Sequence, residues 1–153
     1  MQVKKVIIAS DHAGCPLKEE IINHLKEQGI AVFNYGTNDE NTSVDYPDYA
    51  VKVVRGIVHG EAQYGILICG TGIGMSIAVN RYDYIRGALA PTPELAKLAR
   101  EHNNANVLIL GGRFTDTETA LASVDAFLTT DYEGGRHRVR VNKLERMPHD
   151  FEK

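Results

Sequence analysis

Short apolar runs alternate along the chain with amphipathic segments. Val6-Ile7-Ile8-Ala9 is apolar at every position, and the stretch after it carries Leu17, Ile21 and Leu25 at helical spacing, with Pro16 near its start and Gly29 at its stop. The unit then repeats. Residues 30–35 read as a strand, and residues 45–59 as a helix with Tyr49, Val53 and Ile57 on its inner face. Gly65-Ile66-Leu67-Ile68 is a third strand running into a glycine-rich loop, followed by a short helix over 73–80 and a fourth strand over 85–90. A helix over 93–102 capped by Thr92, a fifth strand over 107–110 and a helix over 118–128 complete the pattern. After Gly134-Gly135 comes a polar segment that can be helical.

Strands apolar at successive positions are buried on both faces, and helices between them place the strands parallel. The pattern predicts one domain over residues 1–153: a three-layer α/β/α fold with a five-stranded parallel sheet, Rossmann-like, and a C-terminal extension over about 131–153. Open sheets of this kind bind ligands outside the carboxyl ends of their strands. Attention therefore falls on Ser10-Asp11-His12, on Cys69 to Gly74, on Pro91-Thr92 and on Gly111-Gly112-Arg113, which follow the first, third, fourth and fifth strands.

Composition narrows the partners. At 153 residues the chain can bury a substantial core, and a net charge of -3 gives no general attraction to nucleic acid or to anionic membrane. No apolar run approaches the roughly 20 residues of a membrane span. Two cysteines and no apolar leader point to a reducing, cytoplasmic setting. One local exception is basic: Arg136, His137, Arg138 and Arg140, a run that is either a solvated face or an anion site.

The sharpest chemical feature is Cys69-Gly70-Thr71-Gly72-Ile73-Gly74, set between a buried strand and a helix. Its glycines let successive N–H groups converge on a small volume, suited to phosphate or an enediolate, though a tight turn with a packed structural cysteine fits the same residues. Met75 removes three other readings. It stands where a dinucleotide fingerprint needs its last glycine, where a P-loop needs the glycine before its lysine, and where a cysteine phosphatase loop needs arginine. A serine-hydrolase elbow at residues 74–78 fails because Ala78 replaces its final glycine. What remains is a thiol at a strand end with a helix N-terminus close behind, which favours a thiolate and makes Cys69 a candidate base.

His102 lies on a helical face with Leu95, Leu98 and Ala99, at the helix C-terminus, where it is either a packed core histidine or an acid favoured by the negative end of the helix. The adjacent Asn103 suits a sugar hydroxyl. Asp11-His12 is either a loop cap or part of the same cleft. His24, His59 and His149 read as exposed. No histidine or cysteine pair has metal-ligand spacing, so neither metal nor cofactor is expected. Arg136 and Arg140 share a helical face, and their planar donors match phosphate oxygens.

Taken together these residues resemble the ribose-5-phosphate isomerases of type B, with the related galactose-6-phosphate and allose-6-phosphate isomerases. The resemblance runs over nearly the whole chain through SDHAG at 10–14, VDYPDYA at 44–50, ICGTGIGMSIAVN at 68–80, EHNNANVLILGGR at 101–113 and YEGGRH at 132–137. It implies that Cys69 moves a proton between C1 and C2 and that Gly70 to Gly74 (Gly70, Thr71, Gly72, Ile73, Gly74) hold the enediolate through backbone N–H groups. It also implies that Thr71 and His102 open the furanose ring, that Asn103 and Asp11 meet sugar hydroxyls, and that His12, Arg113, Arg136 and Arg140 surround the phosphate. One subfamily has serine for the cysteine and a glutamate at the position of Met75; here Cys69 is present and Met75 cannot ionise, so the cysteine chemistry applies. Cys15 has no role in the resemblance.

The implied reaction converts D-ribose 5-phosphate and D-ribulose 5-phosphate, within the non-oxidative pentose phosphate pathway. Such a reaction needs a base beside the carbonyl, donors at the developing oxyanion and an acid for the ring oxygen, with no metal or cofactor. The family assembles as dimers or tetramers with sites shared at the subunit interface, so a homo-oligomer is expected, with the extension packed on a partner subunit. Two other readings stand beside this one: isomerisation of a six-carbon sugar phosphate, and a non-catalytic phosphate- or nucleotide-binding regulatory module that keeps the fold. Against the six-carbon reading, the galactose enzymes divide their site residues between two different chains, whereas this chain matches every motif itself. The combination of Cys69, Thr71 and His102 argues against the module, which has no use for it.

Overall fold

The computed structural model describes residues 2–151, so Met1, Glu152 and Lys153, the last two belonging to the expected extension, lie outside the described residues. Five strands form one parallel sheet: β1 (Lys5–Ser10), β2 (Ala31–Asn34), β3 (Tyr64–Cys69), β4 (Gly87–Leu89) and β5 (Val107–Gly111), in the order β2-β1-β3-β5-β4. The helices are α1 (Cys15–Glu27), α2 (Tyr46–Val58), α3 (Ile73–Val79), α4 (Pro93–Asn103), α5 (Thr117–Thr129) and α6 (Arg138–Leu144), the last preceded by a 3-10 turn at Gly135–His137. The expected three-layer fold is the observed one.

Period-two alternation along the central strands builds both layers. Val6 and Ile8 of β1 face one core with Leu17, Ile21, Ala96, Ala120 and Phe127, drawn from α1, α4 and α5. Ile7 and Ala9 face the other, with Val53, Met75 and Val79 from α2 and α3. β1, β3 and β5 are buried on both faces, which is why they read as continuous apolar runs. The edge strands are shorter than the apolar pattern suggests. β2 spans four residues, β4 spans three, and both are partly solvated.

The direction in which the chain adds strands across the sheet reverses between β1 and β3: the chain leaves β1 for β2 on one side, then returns to β3 on the other. That switch point opens a crevice at the carboxyl ends of β1 and β3. The helices run back toward the opposite edge. α4 begins after β4, with Thr92 capping it by accepting from the Leu95 N–H, and ends just before β5, so its C-terminus lies at the amino edge of the sheet. There the Gly65 N–H at the start of β3 donates to the Asn106 carbonyl.

Candidate active site

The carboxyl edge gathers most of the expected site. β3 delivers Cys69, whose residue is only 4% exposed, and the chain then turns through Gly72 at φ +82, a conformation that glycine adopts without strain. That turn aims the Gly72 N–H at the Cys69 sulfur, 3.2 Å away. Thr71 is exposed, and its hydroxyl accepts from the Ile73 N–H at 3.1 Å. Two of the loop amides are thus engaged within the loop itself. From β5, the Gly112 N–H donates to the Cys69 carbonyl and the Arg113 N–H to the Gly70 carbonyl. A Cβ on Gly70 would lie 3.2 Å from a guanidinium nitrogen of Arg113, so the arginine lies across the loop.

From β1, the Asp11 N–H donates to the Ile68 carbonyl, and the largely buried Asp11 carboxylate accepts from the Gly14 N–H at 3.0 Å. His12 Nδ1 accepts from the Val44 N–H at 3.2 Å. A nitrogen that accepts carries no proton, so the ring presents Nε2 as its outward donor. Asp11, His12, Cys69, Gly70, Thr71, Gly72, Ile73, Gly74 and Arg113 therefore share one edge.

His102 and Asn103 do not join them. They end α4 at the amino edge, and one strand length, on the order of 15 Å, separates that edge from Cys69 within a single chain. Within a single chain His12 and His102 border different edges, because helices that follow the strands carry their C-termini away from the strands' carboxyl ends. The apolar face expected for His102 is also different. Ala96, Ala99 and Arg100 are buried, while Leu95 is 47% exposed.

The extension folds onto this amino edge. The Glu133 N–H donates to the Glu101 carbonyl, and the His137 ring stacks on His102 with centroids 4.2 Å apart and planes 18° from parallel. His137 is buried, and burial first, then the Arg136 charge, push its pKa below the ordinary imidazole value. Arg140 donates from its guanidinium to the Arg136 carbonyl at 3.1 Å, so these two arginines lie beside the stacked rings. A cleft of about 430 Å³ lined by Arg86, Asn103 and Glu145 runs along the same edge, well away from Cys69. The extension thus makes contacts within its own chain.

The stack escaped sequence reasoning because no local spacing links positions 102 and 137. The same holds for His24, expected to be exposed: its side chain is 22% exposed and pairs with Asp125 at 2.8 Å. Cys15 is buried, with its thiol donating to the Thr37 carbonyl at 3.5 Å, and burial raises its pKa.

A family profile described as Ribose/Galactose Isomerase matches residues 6–144. The chain is 46% identical over 143 residues to ribose-5-phosphate isomerase B of Escherichia coli, covering 93% of this chain and 95% of that one. Among solved structures, a ribose 5-phosphate isomerase from Thermotoga maritima superposes with a TM-score of 0.93 at 54% identity, covering 96% of this chain and 100% of that one. Ribose-5-phosphate isomerase B from Mycoplasma genitalium, solved with bound ribulose-5-phosphate, gives 0.89 at 40% identity, covering 95% and 97%.

Proposed function

The chain belongs to the ribose/galactose isomerase family, and from that premise we propose that it interconverts D-ribose 5-phosphate and D-ribulose 5-phosphate as an aldose–ketose isomerase of the pentose phosphate pathway, in the cytoplasm. The observation that carries the proposal is Cys69: a buried thiol at the switch point of the sheet, with an amide aimed at its sulfur. From the open-chain aldose, the Cys69 thiolate takes the proton on C2, and the carbonyl oxygen at C1 becomes the oxyanion of a cis-enediolate. Loop amides stabilise that charge where it develops. A proton then passes from the C2 hydroxyl to the C1 oxyanion and the thiol returns its own proton to C1, leaving the ketone at C2, so no net proton is consumed. Before this, His102 protonates the ring oxygen as the C1–O bond of the furanose breaks, with Thr71 assisting.

Cys69 and His102 stand at opposite edges of one chain, and one substrate needs both. The reading that reconciles them is a homo-oligomer in which the amino edge of one subunit, with His102, Asn103, Arg136 and Arg140, closes over the carboxyl edge of another. His12 and Arg113 then meet the phosphate from one side, and Arg136 and Arg140 from the other, while Asp11 and Asn103 hold hydroxyls. Apolar side chains exposed beside the Cys69 loop, Ile73, Ile77 and Phe114, support contact with a second subunit there.

The experiment is a coupled assay offering ribose 5-phosphate, galactose 6-phosphate and allose 6-phosphate separately. Turnover of ribose 5-phosphate with the six-carbon substrates much slower supports the proposal. Preference for a six-carbon phosphate would move the substrate, and no turnover of any would leave the regulatory module.

A further inference from the structure

At the amino edge His102 belongs to a cluster whose other two members, Glu133 and His137, the reaction does not use. Among the described residues, one donor atom each from His102, Glu133 and His137 lies within 4.8 Å of the others. His137 Nε2 is buried without a hydrogen-bond partner and stands 3.6 Å from a Glu133 carboxylate oxygen. A buried imidazole nitrogen left unsatisfied is costly unless something occupies the space it faces. We propose that His102, Glu133 and His137 form a site for a zinc-class divalent ion, and that the ion, once bound, blocks His102.

The donor set is two imidazoles and one carboxylate, which suits zinc and leaves a fourth position open to water. Zinc bonds of about 2.0–2.2 Å in a tetrahedron put ligand atoms roughly 3.3–3.5 Å apart, so the donors must draw together by up to about 1.5 Å. The stacked rings must also tilt, because a metal lies in the plane of each imidazole it binds. Side-chain rotation supplies both movements. Glu133 is on the surface and free to swing, and its backbone is fixed to Glu101, next to His102. Coordination occupies a nitrogen of His102 and displaces any proton it carries. That ring can then no longer protonate the sugar ring oxygen, a consequence that rests on the isomerase reading, whereas metal binding itself does not.

The test uses the whole protein, stripped with a chelator and titrated calorimetrically with zinc chloride, and in parallel with cobalt(II) followed by its visible absorption. We expect one ion per chain and the intense bands of four-coordinate cobalt. Glu133→Ala and His137→Phe should each weaken binding at least about 100-fold, since loss of a direct ligand costs no less than loss of a supporting group. Glu133→Ala should keep its metal-free turnover and lose inhibition by zinc. The proposal is overturned by wild-type affinity in both variants, by no binding at millimolar metal, or by a thiolate-to-cobalt band that vanishes in Cys69→Ala. Binding as expected in a protein without turnover would keep the metal site and overturn the isomerase reading instead.

Discussion

At the carboxyl edge the polar residues stand on loops that leave β1, β3 and β5 directly, and the hydrogen bonds holding them are mostly backbone to backbone: Asp11 to Ile68, Gly112 to Cys69, Arg113 to Gly70. At the amino edge His102 and Asn103 end a helix, and what backs them is a stacked ring from a short polar extension. The first edge inherits its geometry from the sheet, the most buried part of the molecule, so a base there is held to the fraction of an ångström that proton transfer needs. The second is held by side chains on the surface layer, with α6 exposing Val139 and Leu144. On the proposed mechanism, the group that must stay fixed is on the rigid edge, and the groups that close over a ligand are on the adjustable one.

The sharpest test of that division is the base itself. Cys69→Ala should lower isomerisation on the order of 100- to 10,000-fold while leaving the melting temperature and sugar-phosphate binding nearly unchanged. A variant that turns over normally removes Cys69 from the chemistry and leaves the carboxyl edge as a binding surface only.

His102→Asn comes next, and it separates the two edges by step. The proposed mechanism gives ring opening to the amino edge and proton transfer to the carboxyl edge, so the loss should be larger with ribose 5-phosphate than with an analogue that cannot cyclise. Equal losses would take His102 out of ring opening. Mixing this variant with Cys69→Ala asks whether the edges meet between chains. In a two-fold dimer, half of the randomly mixed molecules are hybrids, and each regains one intact site of two, so activity should return to roughly a quarter of wild type. If mixing restores nothing, the sites are confined within chains.

Arg136→Ala should act more gently, weakening substrate binding by about one to two decades, the worth of a charge-assisted phosphate contact of roughly 1.5 to 3 kcal/mol. The readout is the KM for ribose 5-phosphate, with kcat largely kept. A change confined to kcat would place Arg136 away from the phosphate.

How legible each edge was in the sequence follows from the same difference. Val6 to Ala9 and Gly65 to Ile68 declare themselves because both their faces are buried, and the loops after them carry Asp11, His12 and Cys69 where an open parallel sheet puts its ligands. The amino edge obeys no such rule. Leu95 and Leu98 suggested the inner face of α4, but the helix turns Arg100 inward, where its guanidinium donates to the Ala105 carbonyl at 2.6 Å and lies 4.7 Å from the Tyr64 ring centre. Lys18 was hidden in the same way: it is fully buried, donating to the side-chain oxygens of Asn34 and Asn38 at 2.8 and 2.6 Å, partners that lie on the far side of a strand and a loop. Long-range polar satisfaction leaves no periodicity to read.

The smallest expected effect is one of pH, and it bears on the amino edge alone. His137 has its folded pKa pushed below the ordinary value of about 6.5, by burial first and then by Arg136, His102 and Arg140, with Glu133 opposing. The folded state therefore binds fewer protons than the unfolded one across that interval, and stability rises with pH there. The contribution is fully present above the ordinary imidazole pKa and is lost as pH falls toward the depressed one, where a charged His137 must leave its pocket. Hydrogen exchange should accordingly quicken over residues 133–141 on acidification from pH 7 to about 5, while β3 and the Cys69 loop, which contain no histidine, keep their protection. In His137→Phe the ring stays packed and has nothing to titrate, so the local acid sensitivity should disappear. Acid-induced exchange that persists in this variant, or that spreads equally to β3, would show that the two edges loosen together and that the extension is not an independently adjustable part.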